Sequence, residues 1–194
     1  MISVDDFFNS RLVRGIMLKL RLPLGLAVLV WVFYAMNPAW FWPGLAVSAL
    51  GALGQLWCFA CIRTQQRLAA AGPYMFVRNP MYLARYFLIL GVLLWTGNLW
   101  VIGAFTVLYY PYMNNRVRRE ETRLREIFGQ PYEEYCRDVN RFLPTFNKRF
   151  QPVLLVKTDL ECFRRNHGFT NILAVAVIYA LAYYSAYVFP YPFR

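Results

Sequence analysis

The sequence predicts an all-α membrane protein: a polytopic bundle of about five transmembrane helices with an amphipathic helical cap on the cytoplasmic side. Three observations lead to this fold class. Hydrophobic residues make up 59% of the 194 positions and charged residues only 16%, whereas a soluble domain carries about 25% charged residues. The apolar residues form long blocks, and most charged residues lie in clusters between those blocks. The length suits a single domain over residues 1–194, with a motif-bearing core at about 44–146.

The first two spans come from an uncharged run that is too long for one helix. No charged side chain occurs between Leu22 and Ile62, and because one span takes roughly 20 residues, the run must turn. Residues 37–44 contain two prolines, a glycine and two tryptophans, which favour a turn at the membrane interface. We therefore expect helices at about Ile16–Met36 and Gly44–Ile62.

A second uncharged run, between Arg85 and Arg116, predicts another helical hairpin. The polar residues Thr96–Asn98 interrupt this run and favour a turn. The expected helices are about Pro80–Trp95 and Leu99–Met113.

The polar stretch Asn114–His167 predicts the cap. It contains two amphipathic helical patterns separated by a Gly-Gln-Pro stop at residues 129–131. The apolar side chains of these two patterns are Leu124, Ile127, Phe128, Tyr132, Tyr135, Cys136 and Val139. A final apolar run at about Gly168–Phe189 is long enough for a fifth span, and a helix lying in the interface is the alternative.

The positive charges predict the orientation of the protein. The formal net charge is +11, but the basic residues flank apolar blocks, so we expect a lipid bilayer as the partner and no nucleic acid. If every span crosses, only Arg85 and Arg194 lie off the strongly basic side. The positive-inside rule makes that side the cytoplasm, with the amino terminus inside. No cleavage pattern follows the first apolar block, so the first span should remain.

The four cysteines do not have the spacing of a secreted disulfide scaffold. Cys58 and Cys61 could form half of a metal site, but no second pair supports it, so packing is favoured and no metal is expected. Cys136 and Cys162 receive no bond either. Gly51 and Gly54 favour close helix packing.

Two groups of residues are candidates for chemistry. Residues 72–82 carry a glycine and two prolines directly before a span, which indicates either a built site or a rigid interfacial turn. Arg116 and Glu120 are four residues apart and share a helix face, although on these residues alone the start of a solvated charged helix is the favoured explanation. Arg85 lies inside a span, where an arginine is costly unless it faces a cavity or snorkels, so it is a candidate substrate-binding residue.

Taken together, these segments resemble the membrane methyltransferases that include isoprenylcysteine carboxyl methyltransferase and the phospholipid methyltransferases. The resemblance covers about two-fifths of the chain, and the order and spacing of its parts are specific. The matching parts are Gly72-Pro73-Tyr74, Arg78-Asn79-Pro80-Met81-Tyr82, Glu120-Glu121, Phe128-Gly129-x-x-Tyr132-x-x-Tyr135 and Arg141-x-x-Pro144.

The resemblance implies an enzyme that uses S-adenosylmethionine, held between the membrane helices and the cytoplasmic cap. Its acceptor would be lipid-like or isoprenylated. The implied cofactor-binding residues are Gln66, Arg67, Leu68, Ala69, Tyr74, Asn79, Pro80, Met81, Tyr82 and Glu120. Arg116 matches the arginine that the carboxyl methyltransferases use for the substrate, and we take it as the catalytic residue.

The acceptor group is left open by one departure from the family pattern. The carboxyl methyltransferases carry a histidine where this chain has Asn79, whereas Asn-Pro-Met-Tyr is similar to the phospholipid amine methyltransferases. A carboxylate needs only a cationic clamp at pH 7, while an ammonium must first lose a proton to a base. Carboxyl O-methylation is therefore favoured over N-methylation, and a non-enzymatic membrane scaffold is the third alternative.

Overall fold

The computed structural model describes residues 11–61, 71–146 and 158–188. Within these ranges the chain forms seven helices and no strand, so the all-α class is confirmed. The helices are α1 (Arg11–Tyr34), α2 (Phe41–Cys61), α3 (Pro80–Leu94), α4 (Leu99–Phe128), α5 (Gln130–Asp138), α6 (Leu160–Arg165) and α7 (Gly168–Tyr183). Short 3₁₀ turns at Pro38–Trp40 and Gly72–Met75 precede α2 and α3, and a π turn at Tyr184–Val188 extends α7.

The apolar helices support membrane association. Pro38–Cys61 and Gly168–Val188 are long and apolar enough to cross a membrane, and Leu22–Tyr34 and Pro80–Leu94 are shorter apolar helices. Many large apolar side chains on these helices point outward; Leu22, for example, is 69% exposed. Such contiguous apolar surface is rare on a soluble monomer and fits contact with lipid. Five crossings and a single domain over the whole chain remain predictions.

Helix α4 is longer than the expected span. The predicted end was Met113, but the helix continues to Phe128 as one element of 30 residues. Pro111 lies inside it without ending it, and the chain leaves the helix only at Gly129, whose φ is 58°. The span and the first amphipathic pattern of the cap are therefore one continuous rod, so the residues at its polar end are held rigidly relative to the bundle.

Helices α2 and α3 pack with their backbones in direct contact. A Cβ atom at Gly51 would collide with the backbone nitrogen of Leu88, and one at Gly91 would collide with Ser48. A Cβ atom at Gly44 would lie 2.6 Å from the Gly91 carbonyl oxygen. Only glycine permits this approach, which is the usual reason for small residues at helix interfaces in membranes.

The turn between α1 and α2 is fixed to the far end of α3. Trp95 is fully buried and donates its indole N–H to the Phe41 carbonyl over 3.2 Å. The backbone N–H of Asn37 donates to the Trp95 carbonyl over 2.7 Å. Val32 and Met36 complete this buried cluster. The predicted outer turns therefore lie together at one end of the bundle.

At the opposite end, the segment after α4 folds back over the 72–79 segment. The Tyr135 hydroxyl donates to the Tyr74 carbonyl over 2.6 Å. The Arg78 amide donates to the Asn140 carbonyl over 2.9 Å, and the Thr145 amide to the Phe76 carbonyl over 2.8 Å. These bonds join residues 61 to 69 positions apart in sequence, so the predicted cap covers the predicted site segment.

Candidate functional site

The segment from Gly72 to Tyr82 is a built element held on several sides. Gly72 has a φ of 60°, and a Cβ atom there would collide with the Cys61 sulfur, so the position requires glycine. Tyr74 is 7% exposed and shares a side-chain hydrogen bond with Cys58. Pro80 occupies the first turn of α3, where its missing N–H is not needed. Both interpretations of this segment therefore apply: it is a rigid turn, and its rigid backbone holds the side chains of Tyr74 and Tyr82 in fixed positions.

Tyr82, Glu120 and Arg116 converge at the junction between α3 and α4. The Tyr82 hydroxyl donates to Oε2 of Glu120 over 2.8 Å. The Arg116 guanidinium interacts with the Tyr82 hydroxyl as well. This interaction raises the pKa of Arg116, and partial burial opposes the rise. The pair predicted to share a helix face is thus joined by one tyrosine from the preceding helix.

Tyr74 lies on the same side of the site. Burial raises the pKa of Tyr74 well above its ordinary value, and the nearby Cys58 and Glu120 raise it further. The Tyr74 phenol therefore stays protonated. Glu120 is solvent-exposed, so a carboxylate bordered by two tyrosines faces the space beside the site segment. Such a carboxylate can accept charge-assisted hydrogen bonds from an ammonium, and the tyrosine rings can contact a cation.

Glu121 has the opposite environment. Its side chain is 1% exposed, and Arg141 binds it through two hydrogen bonds, Nη2 to Oε2 at 2.6 Å and Nε to Oε1 at 3.2 Å. The Asn79 amide donates to Oε1 over 3.3 Å. Arg78 approaches the same oxygen with Nη2 at 3.8 Å. We call Arg78, Asn79, Glu121 and Arg141 the clasp, because they join the site segment, α4 and the cap.

One guanidinium of the clasp is incompletely paired. The Nε atom of Arg78 is buried and has no hydrogen-bond partner. The Tyr132 hydroxyl is close enough to interact with both Arg78 and Glu121; burial is the main cause of its raised pKa, Glu121 contributes, and Arg78 opposes the rise. Arg141, in contrast, uses its remaining nitrogen Nη1 to reach Asn114 Oδ1 at 3.4 Å.

The other predicted site residues fall into three groups. Pro80 is buried and Met81 is half-buried at the start of α3, beside the clasp and Tyr82. Arg85 is half-buried on the next turn, within electrostatic reach of the Tyr109 hydroxyl. The predicted cofactor residues Gln66, Arg67, Leu68 and Ala69 lie outside the described residues.

The sequence interpretation gave no role to Glu121, Arg78 or Arg141. All three lie in the motifs that carry the resemblance, and this was the signal available in the sequence. Within the described residues no group of three or more His, Cys, Asp or Glu side chains could hold a metal ion.

The middle of the chain matches a known family. Residues 41–131 match the sequence profile described as phospholipid methyltransferase. This segment starts at the first residue of α2 and includes the site segment, Arg116 and both glutamates. No solved structure matches the chain.

Curated relatives match over similar parts of the chain. A probable protein-S-isoprenylcysteine O-methyltransferase of Oryza sativa subsp. indica is 32% identical over 41% of this chain and 42% of that protein. The protein-S-isoprenylcysteine O-methyltransferase of Schizosaccharomyces pombe is 30% identical over 40% of this chain and 33% of that protein. The cobalt-zinc-cadmium resistance protein CzcN of Cupriavidus metallidurans is 31% identical over 52% of this chain and 47% of that protein.

The matched regions thus span less than half the length of each of these three relatives. The family profile and the two relatives named as O-methyltransferases agree with the motifs from which the resemblance was inferred. The resemblance to the membrane methyltransferases is therefore confirmed, and residues 41–131 are the part of the chain that matches the phospholipid methyltransferase profile.

Proposed function

We propose that this protein is a methyltransferase that uses S-adenosylmethionine and acts in the membrane on a lipid-like or isoprenylated acceptor, by carboxyl O-methylation. The observation that carries this proposal is the convergence of Tyr82, Glu120 and Arg116 at the junction between α3 and α4. One cationic and one anionic group lie there within reach of the same hydroxyl. The names of the relatives supply the reaction class.

The residues present fit the methyl donor. Its methionine part carries an ammonium and a carboxylate, and the site offers the exposed Glu120 carboxylate and a buried Arg78 N–H that has no protein partner. Tyr74, Asn79, Pro80, Met81 and Tyr82 would border the donor on the side of α3. When bound, S-adenosylmethionine supplies a methyl group on a sulfonium, which passes to the acceptor oxygen as the carbon–sulfur bond breaks.

Arg116 is the candidate for orienting the acceptor. A guanidinium presents two parallel N–H donors that match a carboxylate, and Arg116 is exposed beside the Tyr82 hydroxyl. The acceptor carboxylate is already ionised at pH 7, so this reaction needs no general base. The remaining requirement is alignment of the reacting atoms, which the rigid α4 favours.

A lipid-like tail on the acceptor is the simplest reason for placing this site at the end of apolar helices. The acceptor would enter laterally from the bilayer, and the donor would enter from the cytoplasm. The CzcN match carries no comparable argument for a metal, because within the described ranges no cluster of metal-ligating side chains is present.

N-methylation of a phospholipid amine is the second candidate. The family profile is described as phospholipid methyltransferase, and the Asn79–Tyr82 run is similar to that group. In that case Arg116 would repel the protonated amine, and the proton would have to be lost before transfer.

The decisive assay measures transfer of labelled methyl from S-adenosylmethionine to two acceptors, an isoprenylated cysteine and phosphatidylethanolamine, each in the same lipid. We expect label on the isoprenylated cysteine as a base-labile methyl ester. Label on the phospholipid would favour the amine reaction. Absence of donor binding and of transfer would leave the scaffold alternative.

The assignment of Arg116 predicts a specific defect. Arg116→Lys should lower turnover at least tenfold, because an ammonium cannot reproduce the planar two-donor fork, while donor affinity changes little. The measurement is initial rate against acceptor concentration, with donor affinity determined separately. Arg123→Lys, the same exchange at an exposed position of α4, is the control. Normal rates in Arg116→Lys and Arg116→Gln on a carboxylate acceptor would remove Arg116 from the site.

A further inference from the structure

The clasp contains more positive charge than its own residues neutralise. Arg78 and Arg141 are cationic, and within the described residues Glu121 is the only carboxylate that either contacts. Arg141 uses both carboxylate oxygens in a two-point pairing, the strongest geometry for this pair. Glu121 therefore compensates Arg141 first, and Arg78 receives only a longer interaction of 3.8 Å.

Arg78 is buried deeply enough for this imbalance to matter. Its side chain is only 13% exposed, and its Nε–H is buried with no acceptor. A buried N–H without a partner destabilises the protein, and a buried charge without a counter-charge does so more strongly. The polar groups shown around it include the Glu121 carboxylate, the Asn79 side-chain amide on the same oxygen and, through an electrostatic interaction, the Tyr132 hydroxyl. Among these groups only Glu121 bears a negative charge.

The position of Arg78 links it to the donor site. Arg78 and Tyr82 stand at the two ends of one short segment, and their acidic partners, Glu121 and Glu120, are consecutive residues of α4. Arg78, whose Nε–H has no acceptor, and the exposed Glu120 therefore both lie where the 78–82 segment meets α4. An amino-acid group carries both complementary charges on a single carbon.

We propose that Arg78 binds the carboxylate of the methyl donor's methionine part, while Glu120 binds its ammonium. This subsite rests on the proposed function, because it requires S-adenosylmethionine as the donor. It gives the incompletely paired guanidinium a second anionic partner when the donor is bound. Arg78 would accordingly contribute to donor affinity and not to recognition of the acceptor.

The test compares two donors that differ only in this carboxylate, S-adenosylmethionine and its decarboxylated form, by calorimetric titration of the purified full chain. Wild-type protein should bind the decarboxylated form roughly tenfold to a hundredfold more weakly, as expected for loss of a charge-assisted contact. Arg78→Gln should weaken S-adenosylmethionine by a similar factor and leave the affinity for the decarboxylated form nearly unchanged. Glu120→Gln should weaken both ligands, because both keep the ammonium.

Two further variants separate binding from folding. Arg125→Gln removes one positive charge from an exposed pair with Glu133, and it should change neither affinity. Arg78→Lys keeps the charge without the fork and should show a smaller loss for S-adenosylmethionine alone, which tests the subsite even if Arg78→Gln does not fold. Thermal unfolding of each variant is measured in parallel.

The possible failures are distinguishable. Equal weakening of both ligands by the Arg78 variants would make Arg78 a structural residue and overturn the subsite while leaving the proposed function intact. Equal affinity of the wild type for the two ligands would do the same. If the wild type binds neither ligand, the proposed function fails together with the subsite. If the Arg78 variants instead lose binding of a short-chain phosphatidic acid only, the anion is a lipid phosphate and the donor assignment is wrong.

Discussion

At the scale of residues, the two adjacent glutamates show what determines the candidate site. Glu120 is exposed and accepts a hydrogen bond from the Tyr82 hydroxyl, whereas Glu121 is buried and neutralises the charge of Arg141. Consecutive helix positions point in directions about 100° apart, so neighbouring identical residues can have different surroundings. The shared face of Arg116 and Glu120 was predictable from their spacing. The burial of Glu121 was not, because it depends on Arg141, which reaches it only after the cap folds back.

This contrast predicts two separable defects. Glu121→Gln should lower the free energy of unfolding by about 3–5 kcal/mol, because it leaves the largely buried Arg78 and the partly buried Arg141 without their counter-charge. Glu120→Gln should change stability little and weaken donor binding roughly tenfold to a hundredfold. Chemical unfolding in detergent and calorimetric titration of the folded protein measure the two quantities. If Glu120→Gln destabilised the protein as strongly as Glu121→Gln, the division of roles between them would be wrong.

At the scale of elements, hydropathy located the helices but not all of their ends. The starts of α3 and α4 agree with the prediction because Pro80 and the capping residue Asn98 mark them directly in the sequence. The end of α4 differs because hydropathy reports where a helix leaves an apolar environment, while helix termination requires a local breaker. That breaker is Gly129. The close approach of α2 and α3 was indicated by Gly51, but the partner helix could not be read from the sequence.

The α2–α3 contact predicts strong position dependence among helical glycines. Gly51→Ala should lower the free energy of unfolding by about 1–3 kcal/mol, because the new methyl group would press on the backbone of Leu88 and Ala84. Gly103→Ala is the control, since no other atom lies within 4 Å of its added Cβ, and it should be neutral or slightly stabilising. Thermal unfolding in the same detergent measures both variants. Equal tolerance of the two changes would show that α2 and α3 are not in backbone contact.

At the scale of the whole molecule, α7 decides between five crossings and an interfacial last helix. Near its start, the Asn166 amide donates to the Phe59 carbonyl of α2 over 2.9 Å, and near its end the Tyr187 hydroxyl donates to the Pro38 carbonyl over 3.4 Å. The Ser48 and Tyr179 hydroxyls are hydrogen-bonded between these points. The final helix therefore runs antiparallel to α2 along its full length. Residues Gly168–Val188 would extend about 30 Å, enough to cross a hydrocarbon core.

This arrangement predicts which positions are reached from each side of the membrane. The native cysteines are poor reporters, because Cys58 and Cys162 are buried and Cys61 and Cys136 are partly exposed. Labelling should therefore use single cysteines introduced into a chain in which all four native cysteines are replaced by alanine. Trp100 is 88% exposed at the predicted outer turn, and Glu134 is exposed on α5 at the opposite end. Because the basic loops should face the cytoplasm, a membrane-impermeant maleimide should label Trp100→Cys in intact cells and Glu134→Cys only after permeabilisation.

A cysteine at Tyr187, which is 43% exposed beyond α7, tests the fifth crossing itself. It should be labelled in intact cells like Trp100→Cys, because the end of α7 lies against Pro38 in the turn between α1 and α2. An interfacial last helix on the cytoplasmic side would instead give the labelling pattern of Glu134→Cys. Labelling of Glu134→Cys in intact cells would reverse the orientation and place the clasp, Arg116 and Glu120 outside the cell, away from a cytoplasmic methyl donor. The same labelling measurement therefore tests both the topology and the cytoplasmic location of the proposed donor site.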